Sequence, residues 1–128
     1  MKNTISMLRL LFLDETLYSK LDKNLKLIGF KNGVYDLKHF RFRKATREDY
    51  VSITTGYDYS EECNNEYFDK LIESIFENKE RAEWFKVFIG SLIVGGNPEE
   101  KCYFLVGAGR NGKGTIDSLI RYALGAYY

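Results

Sequence analysis

The sequence predicts an α+β protein: an N-terminal helix, a small antiparallel sheet, a pair of packed helices, and then a strand, a glycine-rich loop and a helix. Three observations carry this. Between residues 25 and 59, short runs of β-branched and aromatic residues alternate with turn residues. Between 66 and 93, apolar pairs return every four residues, the period of an amphipathic helix. From 101 onward, a continuous apolar run, a loop containing four glycines and a helical pattern follow one another. The 128 residues suffice for one domain with a core.

Composition narrows the class. Hydrophobic residues are 45% of the chain and aromatics 16%, which excludes a disordered polypeptide. A net charge of +1 excludes a protein that holds nucleic acid by overall charge, while leaving room for a local basic patch. With one histidine, His39, and no clustered cysteines, a zinc site is not expected. Cys63 and Cys102 are read as reduced thiols rather than a disulfide, with Cys102 inside a buried strand.

Residues 1–24 form the N-terminal helical segment. Over 1–23, Leu8, Leu11, Phe12, Leu17 and Leu21 keep an approximate helical period, and Asp14 and Thr16 are placed to break it into two pieces. The segment is read as a helix packing on its own domain rather than as an interaction surface. Its apolar part, 7–13, is interrupted by Arg9 and followed by Asp14 and Glu15. It is too short to span a bilayer and lacks a signal-peptide cleavage pattern.

Residues 25–98 form the next unit, β-rich over 25–59 and helical over 64–94. Leu25 to Phe30 and Val34 to Leu37 flank Lys31-Asn32-Gly33. An Asn-Gly pair between apolar runs predicts a hairpin whose two central residues have positive φ. Phe40-Arg41-Phe42-Arg43 alternates apolar and basic residues, as a half-exposed strand does. Its aromatic and basic groups could also hold single-stranded nucleic acid, but four residues without periodic extension read better as a solvated strand. The run from Tyr50 to Tyr59 is read as a third β segment. Beyond Ser60-Glu61-Glu62, the pairs Tyr67/Phe68, Leu71/Ile72 and Ile75/Phe76 mark one helix. Trp84/Phe85, Phe88/Ile89 and Leu92/Ile93 mark a second, divided from the first at Lys79-Glu80-Arg81 and stopped by Gly95-Gly96-Asn97-Pro98. These aromatic stripes are read as helix–helix core.

The last section, 99–128, carries the chemistry. A buried strand over 102–106 leads into Gly107-Ala108-Gly109-Arg110-Asn111-Gly112-Lys113-Gly114-Thr115, and a helix follows with Ile116, Leu119, Ile120 and Ala123 on one face and Gly125 as its C-cap. Gly107, Gly112 and Lys113 fall at the spacing of a phosphate-binding loop. Glycines let successive backbone N–H groups turn toward one anion, and the helix adds the positive end of its dipole. Lys113 supplies an ammonium for the outer phosphates. Gly114 stands where a Ser or Thr hydroxyl ordinarily holds Mg²⁺, and Thr115 is one residue late. The strand before and the helix after favour a nucleotide loop over an ordinary glycine turn.

Together these residues resemble a known family. The run from Leu27 to Leu37 with its Asn-Gly-Val-Tyr-Asp-Leu, then Ala45-Thr46-Arg47-Glu48-Asp49-Tyr50, Thr54-Thr55-Gly56-Tyr57-Asp58-Tyr59, Gly90-Ser91-Leu92 and the 107–115 loop, is similar in order to the poxvirus-type and phage/plasmid-type primase-helicases of helicase superfamily 3. The resemblance covers residues 25–125. It implies a linker domain followed by the first β–loop–α unit of a P-loop ATPase, broken off after that loop. It further implies ATP with Mg²⁺, with residues 107–115 as the phosphate motif and Lys113 on the β- and γ-phosphates. The expected partners are single-stranded or forked DNA, further copies in a hexameric ring, and a fused or separate primase, at an intracellular or viral replication site without a membrane.

The acidic pair, polar sensor, arginine finger and pore-loop cations of such a helicase lie beyond its phosphate loop. Phosphoryl transfer needs metal, positioning and finger together. The 128 residues alone are therefore expected to turn ATP over negligibly; robust hydrolysis lost in Lys113→Ala contradicts this. A non-catalytic binding or oligomerisation module with an idle loop is the alternative reading. A small P-loop kinase is a third, weakened because its substrate and lid regions would also have to follow the loop.

Overall fold

A computed structural model describes residues 4, 5, 7, 8, 12–14, 16–107 and 109–128. In the N-terminal segment Thr4, Ile5, Met7 and Leu8 are helical, and helix α1 spans Leu17–Lys20; all of these residues are exposed, so these pieces do not pack on the domain as expected. Met1, Lys2, Asn3, Ser6, Arg9, Leu10, Leu11 and Glu15, which complete the expected helix over 1–23, lie outside the described residues. The expected break is present: the Asp14 carboxylate accepts the backbone N–H of Thr16 at 2.9 Å and its hydroxyl at 2.6 Å, a local turn that competes with helix.

The antiparallel sheet consists of β1 (Leu27–Phe30), β2 (Gly33–Asp36) and β3 (Arg41–Arg43), in that spatial order. The hairpin forms, but its turn is one residue earlier than the Asn-Gly pair implies. Phe30 pairs with Gly33, so Lys31 and Asn32 make the turn, and neither Asn32 nor Gly33 has a positive φ. Gly33 is needed for a different reason. A Cβ there would stand 2.4 Å from the Arg43 carbonyl oxygen. Asn32 instead uses its amide, donating to the Tyr59 carbonyl and accepting the Tyr59 N–H, both at 2.9 Å.

The two sheet faces differ. Ile28, Tyr35 and Phe42 lie opposite one another across the strands. With Phe30, the last two join an aromatic cluster completed by Tyr57 and Tyr59. Phe42 stacks on Tyr59 at 4.6 Å, and Phe30 meets Tyr57 and Tyr59 edge-on. Phe42 thus spends its ring face on Tyr59, and the strand expected over 40–43 begins at Arg41, with Phe40 exposed and at positive φ before it. The other face carries Leu27, Val34, Asp36, Arg41 and Arg43.

Residues 50–59 do not form the expected strand. The Asp22 carboxylate accepts the N–H groups of Ser52 (2.7 Å) and Ile53 (3.2 Å), and the Ser52 hydroxyl donates to its other oxygen. Those amides are thereby withdrawn from any ladder. Backbone hydrogen bonding between this run and the first hairpin is reduced to Thr55 N–H on the Gly29 carbonyl and Lys31 N–H on the Tyr57 carbonyl. Positive φ at Tyr50 and Gly56 interrupts the run further.

Helix α2 spans Glu66–Ile75 and α3 spans Lys79–Ser91. The divider is 76–78 rather than Lys79-Glu80-Arg81, because the Asn78 side chain caps the Arg81 N–H at 3.1 Å and makes that triplet the first turn of α3. At the far end, Leu92, Ile93 and Val94 N–H groups bond three residues back, so the helix tightens and stops before Leu92 and Ile93. Ile72, Ala82 and Phe85 are buried between α2 and α3 and are joined by Ile116 from α4 (Lys113–Leu124), with Phe68, Ile75, Phe76, Phe88, Ile89 and Ile120 around them. The stripe reading holds, except that Trp84 is exposed and stacks along the surface on Phe88.

The strand expected over 102–106 is not formed. The sheet stops at β3, and no strand of the described residues lies beside this stretch. Apolar residues without a ladder partner have no reason to adopt strand geometry. Phe104 and Val106 are 83% and 91% exposed, and Cys102, expected to be buried, is exposed, as is Cys63.

One polar contact on the sheet sets a pH dependence. Arg43 grips Asp49 with both guanidinium nitrogens, at 2.6 and 2.7 Å, and Thr46 N–H adds a third bond. The guanidinium holds the Asp49 carboxyl well below the usual carboxylate range, against the opposing effect of burial. The folded value lies below the unfolded one, so this stabilisation is complete above the unfolded carboxylate range and is lost as pH falls below it. Asp49→Asn is expected to cost about 1 kcal/mol at neutral pH and to flatten the acid limb of a pH–stability curve. An unchanged acid limb contradicts this assignment.

Candidate phosphate-binding site

The loop is built by three local devices. Gly112 is the N-cap of α4 with φ +82°, a conformation that L side chains rarely adopt. A Cβ at Gly112 would also come within 2.8 Å of Ile75 on α2, so the start of α4 sits directly on the helical pair. Arg110 has φ +60°, which turns the backbone back before the helix begins. The Ile116 N–H then bonds the Gly112 carbonyl at 3.0 Å and opens the regular helical ladder. The N–H groups before it, in the first turn, have no intrahelical acceptor and point along the axis toward the loop.

Lys113 is the first residue of α4, and its side chain turns back over the loop. Its ammonium donates to the Asn111 side-chain oxygen at 2.6 Å and to the Gly107 carbonyl at 3.1 Å. Gly107, Asn111, Gly112 and Lys113 are thus brought together. The Asn111 amide nitrogen lies 2.2 Å from where a Gly107 Cβ would be, so a side chain at 107 would displace Asn111 from this position. Gly109, Arg110, Gly114 and Thr115 are exposed and take no part in it; Ala108 lies outside the described residues. Nothing lies within 4 Å of a Cβ built at Gly109 or Gly114.

The electrostatics favour an anion. Arg110 and Lys113 are in the loop, and Asp117, the acid on α4, is turned away. It accepts the Tyr128 hydroxyl at 2.7 Å and pairs with Arg121 at 3.8 Å. For a metal, oxygen donors are sparse. Gly114 offers none, the Thr115 hydroxyl is the nearest in sequence, and among the described residues no three His, Cys, Asp or Glu cluster as a metal site.

Both ends of α4 are anchored to the rest of the chain, which the sequence did not reveal. At its C-terminal end the Tyr57 hydroxyl donates to the Ala123 carbonyl at 2.6 Å. The Tyr127 hydroxyl donates to the Ile53 carbonyl (2.7 Å) and accepts the Gly29 N–H (2.8 Å). Tyr57 belongs to one of the runs that carry the family resemblance, but its bond to α4 was not foreseen, and Tyr127 belongs to no motif. The Asn111–Lys113 contact was also missed, although its two residues stand inside the recognised loop.

Comparison with known proteins gives a consistent set. Residues 1–77 match the family described as "D5 N terminal like". The chain is 35% identical over 119 residues to "Putative helicase L207/L206" of Acanthamoeba polyphaga mimivirus, covering 90% of this chain and 12% of that protein. It is 34% identical over 116 residues to "Putative helicase 184R" of Invertebrate iridescent virus 6, covering 87% and 12%. A third, "Putative helicase 121R" of Invertebrate iridescent virus 3, is 30% identical over 126 residues, covering 94% and 13%. The chain therefore spans about one eighth of the length of these relatives.

Proposed function

The chain belongs to the D5-type primase-helicase family, and from that premise we propose that it is the pre-helicase linker and the opening of the motor of an ATP-dependent viral DNA helicase. Residues 1–24 are the N-terminal segment, 25–98 the linker domain, and 99–128 the start of the P-loop ATPase. The helicase names of the viral relatives support the reading at the level of the family.

One observation carries the assignment of the site: the Lys113 ammonium lies over a glycine loop at the mouth of a helix, with two neutral oxygens, the Asn111 side-chain oxygen and the Gly107 carbonyl, among its acceptors. Neutral acceptors are readily exchanged for phosphate oxygens, which form shorter and stronger charge-assisted bonds. Lys113 would then hold the β- and γ-phosphates, and the amides at the start of α4 would cradle them. ATP supplies the phosphoanhydride whose hydrolysis drives unwinding. Mg²⁺ would depend chiefly on the nucleotide's own oxygens and on Thr115, since Gly114 brings no hydroxyl. In the intact protein the DNA is single-stranded or forked, copies assemble into a hexameric ring, and a primase is fused or recruited.

The test is calorimetric titration of Mg²⁺–ATP into the chain and into Lys113→Ala. Loss of a charge-assisted phosphate contact of this kind is expected to weaken binding at least about tenfold. Equal affinity in the two proteins overturns the assignment of Lys113. A second reading, an assembly module with an idle loop, is favoured by the exposed apolar stretch at Phe104 and Val106. Absence of ATP binding together with self-association would select it.

A further inference from the structure

The sheet face opposite the aromatic cluster opens on a cleft of about 700 Å³ whose walls include Lys20, Lys23, Lys26, Lys38, His39 and Arg43. It is the centre of a charge separation that the net value of +1 conceals. Between residues 17 and 47 there are nine Lys and Arg against two Asp, and between 48 and 100 there are four against thirteen Asp and Glu.

The aspartates in and around the cleft are already committed. Asp36 accepts the N–H groups of Lys38 (2.9 Å) and His39 (3.2 Å) and faces the His39 ring at 2.8 Å, which fixes the turn carrying Lys38. Asp49 is held by Arg43, and Asp22 by the amides of Ser52 and Ile53. Lys20 pairs with Asp14 at 3.5 Å. Among the described residues Lys23, Lys26 and Lys38 have no ion-pair partner, although Glu48 also lines the cleft. Three ammonium groups in one concave wall repel each other unless a polyanion joins them.

We propose that this cleft is a second anion site, separate from the 107–115 loop, which grips the backbone phosphates of a single-stranded nucleic acid through Lys23, Lys26 and Lys38. The helicase reading contributes only the identity of the polyanion. A phosphodiester chain offers one charge per nucleotide and so can serve several lysines along one wall. Lysine is a point charge that accepts such phosphates from many directions. The acidic helices of a second copy are the less suitable occupant. Three of the acids there are already paired within the helical pair, Glu66 with Lys70 and both Asp69 and Glu83 with Lys86.

The experiment is fluorescence anisotropy of a labelled oligothymidylate of about 12 nucleotides, a length in the range that one small domain covers, with the chain at low salt. Unlabelled inorganic triphosphate is the competitor that distinguishes a chain of phosphates from a compact one. K23E/K26E/K38E is expected to bind at least tenfold more weakly, and triphosphate to compete poorly. K31E/K44E, which alters exposed lysines of the same basic segment outside the cleft, and Lys113→Ala are expected to stay within twofold. The neutral variant K23Q/K26Q/K38Q guards against misfolding of the charge-reversed one, and its salt slope is expected to fall by about 2. Equal loss in K31E/K44E or in Lys113→Ala overturns the proposal, as does an unsubstituted chain that ignores the oligonucleotide. Salt-sensitive self-association abolished by the cleft variant also overturns it, assigning the face to a second copy. Loss of ATP binding with oligonucleotide binding intact would instead strike the helicase-loop reading alone.

Discussion

Phe85→Ala is expected to lower the unfolding free energy by about 3–5 kcal/mol, as large-to-small changes in a closed core do. Phe85 is 1% exposed and belongs to the cluster with Ile72, Ala82 and Ile116. Its ring touches those of Phe76 and Phe88, with centroids 4.8 and 5.7 Å away. Truncation therefore opens a void among three helices, two before the phosphate loop and one after it. Those helices are fixed in place by their own hydrogen bonds and cannot collapse fully into the space. Urea denaturation followed by far-UV circular dichroism measures the change. A loss under 1 kcal/mol would show that α2, α3 and α4 do not share one core. Trp84→Ala is the comparison: at 58% exposure, it is expected to cost far less than its neighbour one residue along α3.

Gly125→Ala is the second large effect, expected at about 2–4 kcal/mol, with a left-handed backbone penalty added to overpacking. Gly125 has φ +55°, and a Cβ there would lie 2.1 Å from the Thr55 carbonyl oxygen, a backbone atom that cannot swing aside. The position closes α4 onto the 50–59 segment, and the Tyr57 and Tyr127 hydroxyls bond on either side of it. Gly109→Ala should leave stability nearly unchanged, because nothing lies within 4 Å of its Cβ. Thermal melts of the two variants provide the comparison; equal melting temperatures would mean that α4 does not dock on this segment.

What could be read from the sequence was what repeats or what has a fixed local chemistry. The four-residue recurrence of apolar pairs located α2 and α3, because burying such a stripe is the one way to satisfy it. Gly125 was legible as a cap, and the hairpin was legible from Asn32-Gly33, although the turn closes one residue early because Gly33 must yield space to Arg43. The misreadings were non-local. Nothing around Tyr50 announces that the Asp22 carboxylate, thirty residues earlier, takes the amides of Ser52 and Ile53. The apolar run 102–106 has strand composition, yet a strand exists only beside a partner. The helix after Gly112 was legible from its apolar period, whereas the contact of Asn111 with Lys113 and the seating of Gly112 on Ile75 depend on three-dimensional approach. The basic cleft stayed hidden because overall charge averages a positive sheet with negative helices.

The central claim is that the amides and lysine of residues 107–115 receive the phosphates of ATP. Its most direct measurement is amide hydrogen exchange of the chain with and without Mg²⁺–ATP, resolved by residue. Slowed exchange centred on Gly109 to Thr115, absent in Lys113→Ala, is the expected result. Unchanged exchange there under saturating nucleotide, or protection confined to the sheet, would contradict it.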